Sequence, residues 1–251
     1  MNYRLTIQYD GTEFHGWQMQ GAGERTVQGE LRRALSLLDG QRAVVVHGAG
    51  RTDAGVHAEG QVASVELQRE VEPWKLRAAI NGNIAPDARV IMAEAVNKDF
   101  HARYSAKGKT YRYRIFNAPY TSPFLSRYAH TDARPFNVAR MQECAQLFLG
   151  QHDWTAFSAA QSDVRTRVRN VTQLDVTESW SERGQGRVIE IVASAEGFLR
   201  YMVRSITGTL LEVGRGAMDE AQVRRARDTG DRSCAGATAP AHGLTLVKVH
   251  Y

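Results

Sequence analysis

The sequence predicts an α+β protein, in which helices cover one face of a mainly antiparallel β-sheet. Short segments in which apolar and polar residues alternate recur along the chain, and this period is typical of half-buried strands. Segments with apolar residues three or four positions apart, which indicate amphipathic helices, lie between some of them. The two kinds of segment do not alternate strictly, as a doubly wound parallel sheet requires, so the α+β class fits better.

Residues 1–105 are predicted to form an N-terminal α+β domain. Apolar residues repeat at helical spacing over residues 27–38, and Gly40 is a suitable end for this helix. Pro73 is predicted to open a second helix, because proline fits the first helical turn, and the Asn-Gly-Asn run at 81–83 is predicted to end it. Strands are predicted at residues 4–9, 43–46, 63–67 and 88–96.

Residues 106–251 are predicted to form a C-terminal α+β domain. Asn137 is a suitable N-cap for a helix that Gly150 ends, and a clear amphipathic helix is predicted over residues 199–213. A shorter helix is predicted at about 219–229. Strands are predicted at residues 110–116, 170–178, 187–195 and 244–251.

The composition indicates an ordinary globular protein of the cytoplasm. The chain has 251 residues, of which 43% are hydrophobic and 24% are charged. No apolar stretch approaches the ~20 residues that a membrane span needs, and the chain starts directly in a strand pattern without a signal peptide. Cys144 and Cys234 are far apart and lack metal-ligand spacing, which is typical of a reducing compartment.

The charge balance is moderately basic, and its pattern favours RNA as a partner. Lys and Arg number 32 against 27 Asp and Glu, so the formal net charge is +5. Arginine binds phosphate through two parallel hydrogen bonds and also stacks on bases. Such clusters are more often solvated faces, but here they lie beside aromatic residues. The clustered arginines are Arg112 and Arg114, Arg165, Arg167 and Arg169, and Arg200 and Arg204.

Asp53 is the candidate catalytic residue. It lies in a glycine-rich run, residues 48–58, directly after the predicted strand at 43–46. Glycines adopt backbone angles that other residues avoid and let another molecule approach closely, and loops on a rigid sheet often carry catalytic groups. Arg51 is separated from Asp53 by one residue. The simpler alternative is a tight turn in which Asp53 bonds to its own backbone.

Other motifs fit this loop less well. A dinucleotide-binding turn needs a third glycine where this chain has Asp53, whose carboxylate would repel a pyrophosphate, and no P-loop run is present. His57-Ala58-Glu59 resembles half of a zinc deaminase motif, but the chain lacks the accompanying P-C-x-x-C. The eight histidines show no metal-ligand spacing, so no metal is expected. A second carboxylate, Glu59, lies nearby without special context.

Tyr111 and Arg204 are further candidates. Tyr111 lies in a strand rich in Lys and Arg, and base stacking on such a ring contributes roughly 1–3 kcal/mol per base. A strand tyrosine is nevertheless more often part of the core. Arg204 is displaced from the apolar stripe of its helix, and spacing alone favours a solvent-facing position. An arginine beside a carboxylate would lower the pKa of that carboxylate and keep it ionised.

Taken in order, these residues resemble the TruA-type tRNA pseudouridine synthases (pseudouridine synthase I). The run Arg-Thr-Asp-Ala-Gly-Val-His at 51–57 is the most specific match, and the matches span nearly the whole chain. The other matching segments are Tyr9-Asp10-Gly11, Gly16-Trp17-Gln18, Asp99-Phe100-His101-Ala102-Arg103, Tyr111-Arg112-Tyr113, Met202-Val203-Arg204 and Gly243-Leu244.

The resemblance implies that uridines 38, 39 and 40 of the tRNA anticodon stem-loop become pseudouridine. Asp53 would be the catalytic carboxylate, Arg51 would hold the flipped nucleotide, and Tyr111 would stack on the target uracil. Arg204 would pair with Asp53, and Leu244 would contribute to the apolar wall of the pocket. The family's fold has two α+β halves whose strands join in one sheet with a basic cleft between them. The resemblance also implies a homodimer without metal or organic cofactor.

Several alternatives stay open from the sequence. Asp53 could attack ribose C1′ or remove a ribose proton. The arginine clusters and aromatics alone also allow a non-catalytic RNA-binding module, which would bind tRNA in a salt-dependent way without modifying it. A nucleotide-binding enzyme that uses the glycine loop is a weaker alternative.

Overall fold

The computed structural model describes residues 1–21, 23–161, 164–180 and 186–251. The chain divides into two compact units, Met1–Lys107 together with Thr245–Tyr251, and Gly108–Leu244. Within the described ranges, no helix is long and apolar enough to cross a membrane.

The first unit is built on an antiparallel sheet with two helices. Strand β1 pairs with both β3 and β4, so the order is β4-β1-β3, and short β2 pairs with β3. Tyr3, Leu5 and Ile7 of the first strand are fully buried, and so are Val27, Leu31, Ala34 and Leu35 of the first helix, which makes this sheet a rigid base for the unit. The elements are β1 (Asn2–Tyr9), α1 (Val27–Leu38), β2 (Val46–Gly48), β3 (His57–Glu66), α2 (Pro73–Asn83) and β4 (Ala88–Val96).

The second unit has a second antiparallel run of strands, in the order β5-β9-β8-β7, with β6 paired in parallel to β5. Asn137 caps the N-terminus of the first of its helices, and Asp219 caps the N-terminus of the last through a capping box, as sequence patterns of this kind indicate. The elements are β5 (Gly108–Asn117), β6 (His130–Thr131), α3 (Val138–Ala145), β7 (Gly150–Asp153), β8 (Val168–Trp180), β9 (Arg187–Ala195), α4 (Met202–Gly214) and α5 (Glu220–Thr229).

The last strand, β10 (Leu244–His250), is grouped mostly with the first unit. Thr245 and Leu246 pair in parallel with His57 and Ala58 of β3, and this pairing ties the chain end to the strand that follows the Asp53 loop. The sequence predicts residues 106–251, and with them this whole strand, in the C-terminal domain, whereas residues 245–251 group with the first unit. Strand pairing between residues so distant in sequence leaves no local signal from which it could have been predicted.

The predicted α+β class with a mainly antiparallel sheet is confirmed, although several boundaries differ. The strand predicted at residues 43–46 begins only at Val46, because Val45 is 61% exposed and the paired residues start with Val46. The strand predicted at 63–67 begins earlier, at His57, since it pairs along its length with β1. Helix α2 also includes the Asn-Gly-Asn run that was predicted to end it.

Candidate active site

Asp53 lies in the connection between β2, which ends at Gly48, and β3, which begins at His57. Asp53 itself is half-buried, whereas Thr52 on one side is buried at 7% exposure and Val56 on the other at 2%. The two buried neighbours fix the loop against the unit while the carboxylate-bearing residue between them stays partly accessible. A loop held in this way keeps a reactive side chain in a defined place.

The segment after β1 holds this loop through backbone hydrogen bonds. The Trp17 N–H donates to the Thr52 carbonyl at 3.1 Å, and the Gly55 N–H donates to the Phe14 carbonyl at 3.4 Å. Within the loop, the Val56 N–H donates to the Asp53 carbonyl at 3.2 Å. Asp53 therefore sits in a turn whose two sides are both tied to residues 14–17.

Buried polar side chains hold the loop from the side of the sheet. The Tyr9 and Thr52 hydroxyls are 2.8 Å apart and share a hydrogen bond, and the Gln61 amide donates to the Gly50 carbonyl at 2.9 Å. Burial raises the pKa of Tyr9 to about 12, so its hydroxyl is neutral at physiological pH. At the end of the loop, the Gly11 N–H donates to Nδ1 of His57 at 2.9 Å.

Two glycines are required where the segment after β1 meets the loop. Gly16 has φ +86°, and a Cβ there would lie 2.6 Å from the Thr52 carbonyl oxygen. A Cβ on Gly48 would lie 2.4 Å from the buried indole of Trp17. Gly55, inside the loop, has φ +77°, a conformation that glycine adopts without strain. The glycine-rich character noted in the sequence thus has a packing reason at Gly16 and Gly48 and a conformational reason at Gly55.

Arg51 is exposed, and its Nε donates to the Gln18 side-chain oxygen at 3.0 Å. The half-buried Gln18 follows Trp17 directly, so the same segment that anchors Thr52 also orients the Arg51 guanidinium. An oriented and accessible guanidinium is suited to contact a phosphate or a base.

Tyr111, on β5 of the second unit, is buried at 7% exposure. Its ring meets Phe198 edge to face, with centroids 5.2 Å apart and an interplanar angle of 88°. Phe198 lies just before α4, so Tyr111 packs where the strand meets the entry to that helix. Arg112 and Arg114 alternate with the tyrosines as predicted, and Glu190 of β9 lies 3.6 Å and 2.6 Å from their respective Nε atoms.

Arg204 is half-buried on α4 and does not point freely to solvent, which corrects the expectation from helical spacing alone. Its Nε donates to the Ala239 carbonyl at 2.7 Å, and the Ala239 N–H donates back to the Arg204 carbonyl at 3.0 Å. Its guanidinium carbon lies 5.1 Å from the centre of the Tyr201 ring. The tertiary contact with residue 239, which no local pattern encodes, determines this position.

Leu244 begins β10 and is buried at 6% exposure. A Cβ on the preceding Gly243 would lie 2.5 Å from the ring of Tyr113, so only glycine allows this close approach. The Tyr113 hydroxyl donates to the Pro240 carbonyl at 2.9 Å. Burial raises the pKa of Tyr113, and the nearby positive charge of Arg204 acts in the opposite direction. Strand β5, helix α4 and the segment at 239–244 thus meet within the second unit.

The predicted site residues fall in both units: Arg51 and Asp53 in the first, and Tyr111, Arg204 and Leu244 in the second. Tyr9, Trp17, Gln61 and Tyr201 are not among the site residues predicted from the sequence, although Tyr9 and Trp17 lie in segments that carry the resemblance. A strand, β3, follows the Asp53 loop, whereas a dinucleotide-binding turn opens a helix. Among the residues the structure describes, no group of three or more potential metal ligands is clustered.

The chain is similar in sequence to proteins of one known family. The family model described as tRNA pseudouridine synthase matches residues 5–105 and 144–251. A tRNA pseudouridine synthase A of Ruminiclostridium cellulolyticum is 46% identical over 251 residues, covering 99% of this chain and 98% of the relative. Similar proteins of Bacillus sp. and Agrobacterium fabrum are each 40% identical, covering 100% and 99% of this chain and 99% and 92% of the relatives.

These matches place the chain in an isomerase class, because a pseudouridine synthase rearranges a nucleoside without adding or removing atoms overall. The chain belongs to the tRNA pseudouridine synthase family, of the TruA type that the sequence motifs resemble.

Proposed function

We propose that this enzyme converts uridines 38, 39 and 40 of the tRNA anticodon stem-loop to pseudouridine, with Asp53 as the catalytic carboxylate. The single observation that carries the assignment of Asp53 is its place in the 48–57 loop. There Thr52, directly before it, and Val56, three residues after it, are buried, and hydrogen bonds at Thr52 and Gly55 tie the loop to residues 14–17, while Asp53 remains partly accessible. The choice of tRNA positions rests on the sequence resemblance, and the names of the relatives support tRNA as the substrate.

The reaction requires no redox partner and no external energy source. The bond between ribose C1′ and uracil N1 breaks, the base turns, and C1′ joins C5. N1 then carries a proton, and the proton on C5 is released to solvent. Asp53 either attacks C1′ or removes a ribose proton, and each route uses one carboxylate at the sugar. The target nucleotide must leave its stack, at a cost of a few kcal/mol.

The other proposed residues serve to bind and orient the target. Arg51, which Gln18 orients, would hold the flipped nucleotide, and Tyr111 would stack on its uracil. Arg204 would pair with the catalytic carboxylate and keep it ionised. Leu244 would form part of the apolar wall. A cytoplasmic homodimer without a cofactor completes the proposal, and sedimentation of the purified protein measures its oligomeric state.

The test uses tRNA tritiated at uracil C5, because formation of pseudouridine releases that hydrogen. Wild-type enzyme should release tritium, and Asp53→Asn should release none while still binding tRNA. Glu59→Gln is the matched control, since it neutralises the exposed carboxylate on β3 close to the same loop. Its tritium release should equal that of the wild type.

Each contrary result has a definite meaning. Binding of tRNA by the wild type without tritium release would indicate the non-catalytic RNA-binding module. Normal turnover in Asp53→Asn would overturn the assignment of the carboxylate, and loss of turnover only in Glu59→Gln would transfer that role to Glu59.

A further inference from the structure

A cavity of about 720 Å³ opens in the second unit, and all of its lining residues belong to that unit. Its volume is in the range of small-ligand sites. Three arginines line it, Arg167, Arg200 and Arg232, together with the hydroxyl groups of serines and threonines. Among the described residues, no aspartate or glutamate contributes to the lining. The cavity therefore combines three positive charges with neutral hydrogen-bonding groups.

Arg167 and Arg232 are held in place by neutral oxygen atoms. Arg167 donates to the Ser158 hydroxyl at 2.8 Å and to the carbonyls of Ala159 and Ala160 at 2.9 and 2.6 Å. Arg232 donates to the Gly236 carbonyl at 2.7 Å and to the Thr238 hydroxyl at 3.1 Å. These bonds fix both guanidinium groups without neutralising them.

Some arginines elsewhere in the described chain have carboxylate partners, whereas Arg89, like Arg167, donates to backbone carbonyls. Arg25 pairs with Asp87 at 2.6 Å, and Arg215 pairs with the buried Asp132. Within the described part of the chain, neither Arg167 nor Arg232 has a carboxylate partner. A fixed guanidinium that lacks an internal counter-charge is suited to an anion, and a phosphate accepts two of its hydrogen bonds at once.

Arg200 lies at the exposed side of the cavity and connects it with Arg204. Its guanidinium carbon is 4.8 Å from the centre of the Tyr201 ring, the same ring that Arg204 approaches at 5.1 Å. Its Nη2 also donates to the Tyr201 hydroxyl at 3.0 Å. Thr238 also lines the cavity, and the next residue, Ala239, accepts the hydrogen bond from Arg204 Nε at its carbonyl. The cavity is thus adjacent to the residue proposed to pair with the catalytic carboxylate.

We propose that this cavity binds phosphates of the tRNA backbone and thereby fixes the register of the RNA in the second unit. The inference rests on the proposed function, since tRNA is the source of the phosphates. Contacts to phosphate position a nucleic acid without reading its sequence. Such a site would serve any tRNA with the right backbone path, which suits an enzyme that acts on neighbouring positions.

The test measures tRNA binding against salt concentration in the Asp53→Asn background, so that turnover does not interfere. Each lost phosphate contact should lower the slope of log K against log salt by roughly 0.7–0.9. The variant Arg167→Gln/Arg232→Gln should therefore show a slope lower by about 1.5 and an affinity lower by about tenfold or more. An unchanged slope and affinity in the folded double variant would overturn the proposal.

The matched control is Arg224→Gln/Arg225→Gln, which removes the same two charges from the exposed surface of α5, outside the cavity. Its slope and affinity should stay close to those of the Asp53→Asn parent. An equal decrease in both double variants would show that net charge alone matters, and it would overturn the cavity assignment.

A third variant covers the case in which loss of the Arg167 and Arg232 hydrogen bonds unfolds the protein. Arg200 is exposed, so Arg200→Gln should fold normally by circular dichroism, and it should lower the slope by about 0.7–0.9. An unchanged slope in Arg200→Gln would overturn the proposal. Saturable binding of uridine monophosphate that Arg200→Gln abolishes, with tRNA binding unaffected, would assign the cavity to free nucleotides instead.

The two proposals fail in distinguishable ways. Tritium release by the wild type tests the function, and the salt slope of the inactive parent tests the cavity. An enzyme that releases tritium but shows the same slope in all cavity variants would retain the function and lose the phosphate site.

Discussion

Asp53, the proposed catalytic residue, shows how the backbone around a side chain fixes its position. The preceding residue, Thr52, shares a hydrogen bond with the Tyr9 hydroxyl and accepts one from the Trp17 N–H at its carbonyl. These bonds fix the backbone that carries the Asp53 carboxylate. Catalytic groups tolerate displacements of only about 0.5 Å, and residues that merely support the loop therefore affect turnover.

Gly16→Ala tests this support. The positive φ and the 2.6 Å approach to the Thr52 carbonyl mean that an added Cβ must displace the loop. We expect the free energy of unfolding to fall by roughly 1–3 kcal/mol and turnover to fall with it. Urea unfolding and tritium release are the measurements. Gly21→Ala is the control, because a Cβ there meets nothing within 4 Å, and an equal effect in both variants would contradict the argument.

Tyr111 raises the question of whether its ring or its hydroxyl acts. If stacking is its role, Tyr111→Phe should bind tRNA as tightly as the wild type, since the ring and its contact with Phe198 remain. Tyr111→Leu should bind roughly tenfold more weakly, because the stacking contribution is lost. Filter binding measures both, and equal affinities in the two variants would exclude stacking. Loss of turnover in Tyr111→Phe with intact binding would give the hydroxyl a chemical role.

Helix α4 determines how the second unit presents Arg204. Nearly all of its residues are buried, and the segment at 236–239 crosses it so closely that a Cβ on Gly208 would lie 1.6 Å from the Ala237 carbonyl oxygen. This approach permits the two hydrogen bonds between Arg204 and Ala239. A glycine inside an amphipathic helix, which lowers helix propensity, here has a packing reason.

Gly208→Ala should separate the helix from this segment. We expect a loss of more than about 2 kcal/mol in stability, since the contact is with backbone and cannot be relieved by a side chain. Turnover of the remaining folded protein should also fall, because Arg204 loses its anchor. Gly82→Ala, at an exposed and open position of α2, should instead raise stability by up to ~1 kcal/mol. Thermal unfolding of both variants checks the pair, and a neutral Gly208→Ala would refute the packing argument.

The stability of the whole chain depends in part on charges that lie far from the candidate site in sequence. Burial alone would raise the pKa of Asp132, but hydrogen bonds from Arg134 and Arg215 lower it to about 2. Because this pKa lies below that of an unfolded aspartate, the ionised group stabilises the folded state above about pH 4. That contribution is lost as the pH falls towards 2.

Asp132→Asn should therefore lower the free energy of unfolding by roughly 2 kcal/mol at pH 7. The difference from wild type should shrink as the pH falls from about 4 to about 2, where the wild-type carboxyl takes up its proton. Denaturant unfolding across this pH range is the measurement. Glu143→Gln on the exposed side of α3 is the control and should stay within about 0.5 kcal/mol of wild type. A constant difference at all pH values would disprove the linkage.

Local patterns in the chain were sufficient for the fold class, most helices and strands, and the family, whereas the catalytic role of Asp53 stays a prediction. Alternating or helically spaced apolar residues indicate which face of a strand or helix is buried. The residue order at 51–57 indicates the family. Contacts between distant segments were not accessible in this way. Three features depend on residues that only folding brings together. They are the pairing of β10 with β3, the hydrogen bonds between Arg204 and Ala239, and the arginine-lined cavity. A single sequence carries no periodic signal for such contacts, because packing and loop closure decide them.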